Sequence, residues 1–330
     1  MSIGVIDMEG LRLGIDLGGT TVKVGLVDEE LEIVDKVIYR SRPLDEMAAC
    51  AEFSDQLKAF VVEARYDPAE IEGIGVAIPG TVLGAEVELL PNIQLDLQLL
   101  LESLRDYFPN ADLAYLNDAN AGALAEAAFG AGVGYRNVLY VTIGTGIGAG
   151  VVIGGKVIAG AHGAAGEIGH VSVAKGGRRC SCGRRGCLEQ YASARGIVRT
   201  FREVGANAPS VYESLDHQQD HLAHMLMPKH DADSLTVFRA YEEGDFRAVK
   251  AVDVFAKSLG FALGQVCTVL DPDVVLLGGG VAGSAHVYLS KVQQVFSESV
   301  IEPCRETEIL PGKLGNSANM LGAAYYSMIQ

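Results

Sequence analysis

The stretch Gly14–Asp28, "GIDLGGTTVKVGLVD", places an apolar strand, a glycine turn and a second apolar strand in succession. The apolar periodicity around Gly18-Gly19 predicts a hairpin with strands at 11–17 and 21–28. The same pattern returns about 130 residues later in "VTIGTGIGAGVVIGG", at 141–155. Two such units predict duplicated α/β halves that hold a nucleotide between them, although two unrelated hairpins would produce the same pattern.

The remaining apolar periodicity alternates between strands and helices, which is typical of α/β proteins. The predicted elements are strands at 31–39, 71–80 and 111–118, a strand with a glycine turn at 274–282, helices at 44–65, 95–108, 119–130 and 317–329, and a helical pattern over 192–265 with a polar stretch at 205–233.

Composition indicates a globular protein and argues against a nucleic-acid surface. A chain of 330 residues, 49% hydrophobic and 21% charged, is long enough for two domains. The formal net charge of −16 is unfavourable for a duplex, which is bound by clustered lysine and arginine. It does not exclude a nucleotide, because phosphates are held by backbone N–H groups and a metal ion.

The N-terminal sequence "MSIGVIDMEGLRLG" lacks the basic segment and long apolar core of a signal peptide. We find no run of 18 or more apolar residues, so we expect no membrane partner and a cytoplasmic location. In that reducing compartment, clustered cysteines bind metal more often than they form disulfides.

A cluster of three cysteines and one histidine follows the spacing H-x9-C-x-C-x4-C and comprises His170, Cys180, Cys182 and Cys187. Thiolates and an imidazole form the tetrahedral ligand set of a structural zinc site. Four protein ligands leave no open position, so the zinc would hold shape and would not activate water. A redox pair or unrelated free thiols are the alternatives.

Three glycine turns follow predicted strands: "DLGGT" at 16–20, "GTGIG" at 144–148 and "GGG" at 278–280. Each is a weak motif alone, but together they indicate a phosphate site, in which Asp16 would hold a hydrated Mg²⁺. Asp118, in "LNDANAG", is either a helix N-cap or a general base that accepts a hydroxyl proton.

A polar stretch carries His217, His221, His224 and His230. Histidines at this spacing are able to bind metal on one helix face, but no carboxylate or cysteine signature of a known metal site completes the set. We therefore interpret this stretch as a solvated helical excursion.

Taken in order, "DLGGT", "IPG", "PN", "NDANAG", "GTGIGAG", "GEIGH", "CSCGRRGCLE", "LDPDVVLLGGG" and the final "GAA" resemble the ROK family of sugar kinases. The resemblance covers nearly the whole chain and implies the ribonuclease-H-like, actin-like ATPase fold. It implies one lobe at 1–118 plus 316–330, a second at 119–315 that contains the zinc loop 170–187, and an active site in the interlobe cleft.

The resemblance also implies that a hexose is phosphorylated by ATP with Mg²⁺, and glucose is the expected acceptor because "LEQYASA" after the cysteines is similar to the family's glucokinases. N-acetylglucosamine, N-acetylmannosamine, mannose and fructose remain alternative acceptors, and polyphosphate an alternative donor. A non-catalytic sugar-binding protein is also possible. The family's repressors carry a DNA-binding domain before the first glycine loop, for which we expect no room. A homodimer or homotetramer is expected.

Site residues are carried over from the family's motifs. Asp118 would be the catalytic base on the sugar's 6-hydroxyl. The remaining hydroxyls would be bound by Asn92, Asn117, Glu167, His170 and Glu189. The nucleotide and its metal would be bound by Asp16, Gly18, Gly19, Thr20, Lys23, Thr145, Gly146, Gly278, Gly279 and Gly280.

Glu167 and Glu189 flank the cysteines, and we expect zinc to fix the loop that aims both carboxylates at the sugar. His170 would ligate zinc through one ring nitrogen while its other edge faces the sugar. Two motifs depart from the family: "PNIQLDLQ" lacks the usual proline or aromatic residue, and "GNSANMLGAA" replaces an Asp-Ala-Gly sequence. The second departure weakens any prediction of polar contacts from the last helix.

Overall fold

The computed structural model describes residues 10–28, 30–83, 86–88, 93–206 and 233–330. The chain forms two compact units, one of Met1–Tyr140, Ala149–Gly166 and Gly312–Gln330 and the other of Val141–Gly148 and Glu167–Pro311. The helix that begins at Asp118 falls in the first unit, whereas the lobe boundary expected from sequence follows that residue. The two-lobe division at 118 stays a prediction.

The strands in chain order are β1 (Leu11–Leu17), β2 (Thr21–Val27), β3 (Ile33–Arg40), β4 (Ile71–Ile78), β5 (Thr81–Leu83), β6 (Glu86–Glu88), β7 (Asp112–Asn117), β8 (Asn137–Ile143), β9 (Ile147–Ile153), β10 (Lys156–Val157), β11 (Val274–Gly278) and β12 (Glu308–Pro311). The helices are α1 (Met47–Glu63), α2 (Leu97–Tyr107), α3 (Asp118–Phe129), α4 (Glu189–Ala192), α5 (Ala194–Ala206), α6 (Ser234–Glu242), α7 (Phe246–Leu270), α8 (Ala285–Ser299) and α9 (Ala318–Ile329). The elements predicted from periodicity are present, with ends shifted by a few residues. The histidine-bearing stretch lies outside the described residues.

The first sheet has the order β3-β2-β1-β4-β7. β1, β2 and β3 form an antiparallel meander, and β1, β4 and β7 run parallel to one another. A second five-stranded sheet has the order β10-β9-β8-β11-β12. The two sheets confirm the expected actin-like ATPase fold. The active-site cleft expected from the resemblance stays a prediction.

The strands β1, β2 and β4 of the first sheet are mostly buried because the two faces of the sheet pack against different helices. Apolar side chains such as Ile15, Val24 and Val76 form one core cluster with buried residues of α1 and α2. On the opposite face the strands approach the backbone of α9 closely. A Cβ added at Gly75 would lie 1.7 Å from the carbonyl oxygen of Ala323, which leaves no room for any side chain.

We expect Gly75→Ala to lower the free energy of unfolding by about 1–3 kcal/mol, the usual cost of overpacking. The obstructing atom belongs to helix backbone, so neither side can yield as a flexible side chain would. Gly283→Ala is the matched control, because a Cβ there meets nothing within 4 Å. Urea unfolding of both variants tests the prediction. Equal midpoints for Gly75→Ala and Gly283→Ala would contradict it.

Within the described residues, the helix α7 is long and apolar enough to cross a membrane by length and composition, and half of its most apolar window is buried. Phe255 of this helix makes edge-to-face contacts with Phe238 and Tyr288, at ring-centroid distances of 6.1 and 4.9 Å. These contacts and the buried residues along the helix make α7 a core helix of the second unit.

Candidate functional site

The first glycine turn joins β1 to β2. The backbone N–H of Gly18 donates to the carbonyl oxygen of Thr21 at 3.0 Å. A Cβ at Gly18 would lie 2.7 Å from that same oxygen, so the turn closes only with glycine there. Gly19 and Thr20 are exposed at its tip. The turn therefore presents backbone and a hydroxyl to solvent, as a phosphate loop requires.

Asp16 lies near the end of β1, is 6% exposed and has a partner at each carboxylate oxygen. The Nζ of Lys23, its register partner on β2, is 3.0 Å from Oδ2. The Nδ2 of Asn319, in the first turn of α9, donates to Oδ1 at 3.4 Å. The sequence analysis did not predict this contact from α9. Its only signal is a polar residue in an otherwise apolar helix start.

Asp118 is the first residue of α3 and is not its N-cap. Asn117 is the N-cap, and its Oδ1 accepts from the backbone N–H of Asn120 at 3.0 Å. Its Nδ2 donates to the carbonyl oxygen of Gly80 at 2.9 Å and to Oδ1 of Asp118 at 3.0 Å. The backbone N–H of Ala119 also donates to Asp118 Oδ1, at 2.8 Å. Asn117 thus orients the half-buried Asp118 carboxylate.

Glu126, at 1% exposure, holds the other end of α3 and was missed by sequence reasoning. Its carboxylate accepts hydrogen bonds from the backbone N–H groups of Ala131, Lys313 and Leu314 at 2.9, 3.1 and 2.8 Å. A buried carboxylate needs such donors to offset the cost of desolvation. The contact fixes the segment before α9, which carries Asn319, relative to α3, which carries Asp118.

The histidine and three cysteines predicted to bind zinc lie together in the second unit. Their ligand atoms are all within 4.8 Å of one another. Nδ1 of His170 is 3.6 Å from Cys180 Sγ, and the sulfurs of Cys182 and Cys187 are 3.7 Å apart. Zinc–sulfur bonds of about 2.3 Å in a tetrahedron put neighbouring sulfurs nearly that far apart. The residues fit a zinc ion.

The two acids that flank the cluster are placed differently. Nε2 of His170 lies 3.9 Å from Oε2 of Glu167, so the two ring nitrogens have different neighbours. The roles of the ring in binding zinc and sugar stay predictions. Glu189 begins α4, and its Oε1 accepts from Cys180 Sγ at 3.0 Å. Burial and this hydrogen bond raise the pKa of the Cys180 thiol to about 12. Glu189 is thus in direct contact with a candidate zinc ligand.

In the second unit, the glycine turn at 144–148 lies close to Glu189, and the turn at 278–280 lies close to the strand that leads into it. A Cβ at Gly146 would be 3.1 Å from Glu189 Oε2. Gly279 has φ +78° and approaches Ile143, where a Cβ would be 2.5 Å from the carbonyl oxygen. Thr145 is exposed between these features. A carboxylate, two glycine turns and a hydroxyl are thus gathered in one region.

The candidate residues fall into two groups. The first unit contains Asp16, Gly18, Gly19, Thr20, Lys23, Asn117 and Asp118, and the second contains Thr145, Gly146, Glu167, His170, the three cysteines, Glu189 and Gly278–Gly280. Asn92 lies outside the described residues. The binding and catalytic roles assigned from sequence stay predictions.

Comparison with known proteins places this geometry in a family. The model of the ROK family matches residues 12–328. A glucokinase from Halalkalibacterium halodurans is 32% identical, with 95% of this chain and 93% of the relative covered. A xylose repressor from Bacillus subtilis is 28% identical over 95% of this chain and 76% of its own length.

Among solved structures, a ROK family glucokinase from Streptomyces griseus in complex with glucose and AMPPNP is 30% identical, with a TM-score of 0.77. That similarity covers 97% of this chain and 100% of the other.

Proposed function

The chain belongs to the ROK family, and on that premise we propose that it is a sugar kinase that transfers a phosphoryl group from ATP to glucose. The observation that carries the proposal is the Asp118 carboxylate, oriented by Asn117 and the Ala119 N–H at the start of α3. The similar glucokinase from Streptomyces griseus, crystallised with glucose and AMPPNP, supports both the acceptor and the donor.

Asp118 acts as the general base. Phosphoryl transfer needs positioned reactants and charge stabilisation more than covalent chemistry, together with a group that accepts the attacking hydroxyl's proton. Asp118 Oδ1 is held by the Asn117 amide and the Ala119 N–H. These contacts hold the carboxylate in place for the sugar's 6-hydroxyl.

Sugar recognition falls to Glu167, His170 and Glu189. Each carboxylate accepts two hydroxyl hydrogens, and charge-assisted hydrogen bonds are stronger than neutral ones. Asn117 contributes through Asp118, since both ends of its amide already bond within the chain. Asn92 is proposed on the family motif alone.

The phosphates are held by the glycine turns at Gly18–Thr20, Thr145-Gly146 and Gly278–Gly280, and by Lys23. Asp16 is the residue that would hold Mg²⁺, which when bound neutralises phosphate charge. Lys23 lies 3.0 Å from Asp16, so the lysine charge compensates the buried carboxylate. Zinc held by His170 and the cysteines would fix the shape of the loop next to Glu189.

The xylose repressor relative favours a second candidate, a sugar-binding regulator without catalysis. Relatives named as N-acetylgalactosamine kinase and kanosamine kinase keep the acceptor open among hexoses and amino sugars, beside the N-acetylglucosamine, N-acetylmannosamine, mannose and fructose considered above. We further propose a cytoplasmic homodimer or homotetramer that uses ATP, with polyphosphate as the alternative donor.

A coupled assay of ADP release over a panel of hexoses and N-acetylhexosamines tests the proposal. We expect the highest kcat/KM with glucose and ATP. A parallel set with polyphosphate, read out as sugar phosphate, tests the donor. Calorimetric sugar binding without product from any sugar or donor would favour the regulator instead. A higher kcat/KM with another sugar would retain the kinase and change the acceptor.

A further inference from the structure

Arg178 differs from the other arginines of the cysteine loop. Its side chain is 11% exposed, whereas Arg179, Arg184 and Arg185 are exposed. Its guanidinium donates to four acceptors: the carbonyl oxygens of Gln190 and Gly196, Thr200 Oγ1 at 2.9 Å and a carboxylate oxygen of Glu203. One side chain therefore ties the loop both to α4 and to α5.

Tyr191 makes the second part of this contact. The Arg178 guanidinium carbon lies 4.6 Å from the centroid of the Tyr191 ring, within reach of a cation–π interaction. The Tyr191 hydroxyl oxygen accepts from the backbone N–H of Arg178 at 2.8 Å. A Cβ at Gly177 would be 2.2 Å from that oxygen, so the glycine leaves the space the hydroxyl occupies.

Glu203, at 44% exposure, anchors the far end of the arginine. Arg199 Nε donates to its other oxygen at 2.8 Å, so two arginines share one carboxylate. Burial acts to raise the pKa of Glu203, but the hydrogen bonds from Arg199 and Arg178 outweigh it and the pKa is lowered. The anchor is thus charged at neutral pH.

These contacts bracket Glu189. Cys187, a candidate zinc ligand, lies two residues before it, and Gln190 and Tyr191, both held by Arg178, follow it directly. The helix α4 that carries Glu189 spans only Glu189–Ala192, too short to be stable by itself. The direction of the carboxylate is therefore set by its neighbours on both sides.

We propose that Arg178 is a positioning residue for Glu189. Its contacts hold the cysteine loop against α4 and α5 independently of the metal. Four acceptors in different directions require the planar, forked guanidinium, which no other side chain offers. The part of the inference that concerns sugar affinity rests on the proposed function, because it takes Glu189 as a sugar ligand. The part that concerns the order of α4 does not.

Arg178→Gln and Arg179→Gln, compared with the parent, test the proposal. Each variant removes one positive charge, and the two positions are adjacent. Only the Arg178 side chain has the acceptors and the Tyr191 ring contact described above. For Arg178→Gln we expect about one zinc per chain, faster hydrogen exchange in the peptide spanning Glu189–Ala192, and a sugar KM raised about tenfold, equivalent to about 1.4 kcal/mol. We expect KM for ATP to stay within about twofold, the zinc content to match the parent, and Arg179→Gln to match the parent throughout.

Unchanged hydrogen exchange at Glu189–Ala192 in Arg178→Gln would overturn the proposal. Loss of zinc together with faster exchange would also overturn it, because the effect of Arg178 on Glu189 would then not be independent of the metal. Should Arg178→Gln fail to fold, Glu203→Gln, at a half-exposed residue, and Tyr191→Phe carry the same test with smaller shifts. If the parent phosphorylates no sugar, the proposed function fails, while exchange and zinc content still decide the role of Arg178.

Discussion

Asp118→Asn is expected to lower kcat about 10²–10⁴-fold, the usual contribution of a general base, while sugar affinity changes little. Asparagine has the same shape and keeps an oxygen to accept the Ala119 N–H, now 2.8 Å from Oδ1. The amide accepts no proton from an attacking hydroxyl, so the loss falls on kcat. Steady-state kinetics with calorimetric sugar binding separate the two effects.

Asp106→Asn is the matched control, because it removes the same charge at an exposed position on α2. It should retain the parent's kcat. Turnover of Asp118→Asn within threefold of the parent would show that the base is another group. A large loss of sugar affinity, with kcat preserved at saturation, would instead make Asp118 a binding residue.

Local patterns predicted the strands and helices, whereas the fold itself was predicted from the family resemblance. The hairpin of β1 and β2 follows from alternating apolar residues on either side of Gly18-Gly19, and the register that pairs Asp16 with Lys23 follows from the tight turn. The cysteine cluster was also predictable, because its ligands lie within eighteen residues of one another in sequence. Short spacing leaves the chain few ways to arrange such groups.

Contacts between distant segments could not be predicted in this way. Asn319 and Asp16 are separated by 303 residues, and Glu126 and Leu314 by 188. Their partners depend on how α9 packs onto the first sheet, which no local periodicity encodes. Arg178 stands in a loop of four arginines, and only the packing of α4 and α5 distinguishes it from its neighbours.

The cap of α3 shows a different limit. Asn117 and Asp118 are adjacent, and both residue types are favoured at helix N-caps. A shift of one residue in the helix start exchanges their roles, and sequence periodicity does not locate helix ends that finely. In the structure Asn117 is the N-cap, so the Asp118 carboxylate does not serve as the cap of α3.

Cys182→Ala is expected to remove zinc and, with it, most of the sugar affinity. Zinc content should fall from about one per chain to near zero, since three ligands hold structural zinc poorly. Without the ion the loop no longer fixes Glu167 and Glu189. Loss of two charge-assisted hydrogen bonds, each about 1.5–3 kcal/mol, raises the sugar KM at least about 10²-fold.

Cys182 suits this test because it is exposed, so alanine leaves no cavity in the core. Lys175→Ala, an exposed position in the same loop, should keep both zinc and the parent's KM. Stripping zinc from the parent with a chelator should reproduce the Cys182→Ala phenotype, and added zinc should restore only the parent. A zinc-free variant with normal sugar affinity would show that zinc does not position the carboxylates of Glu167 and Glu189. Arg178 would then be left to position Glu189 through its contacts with Gln190 and Tyr191.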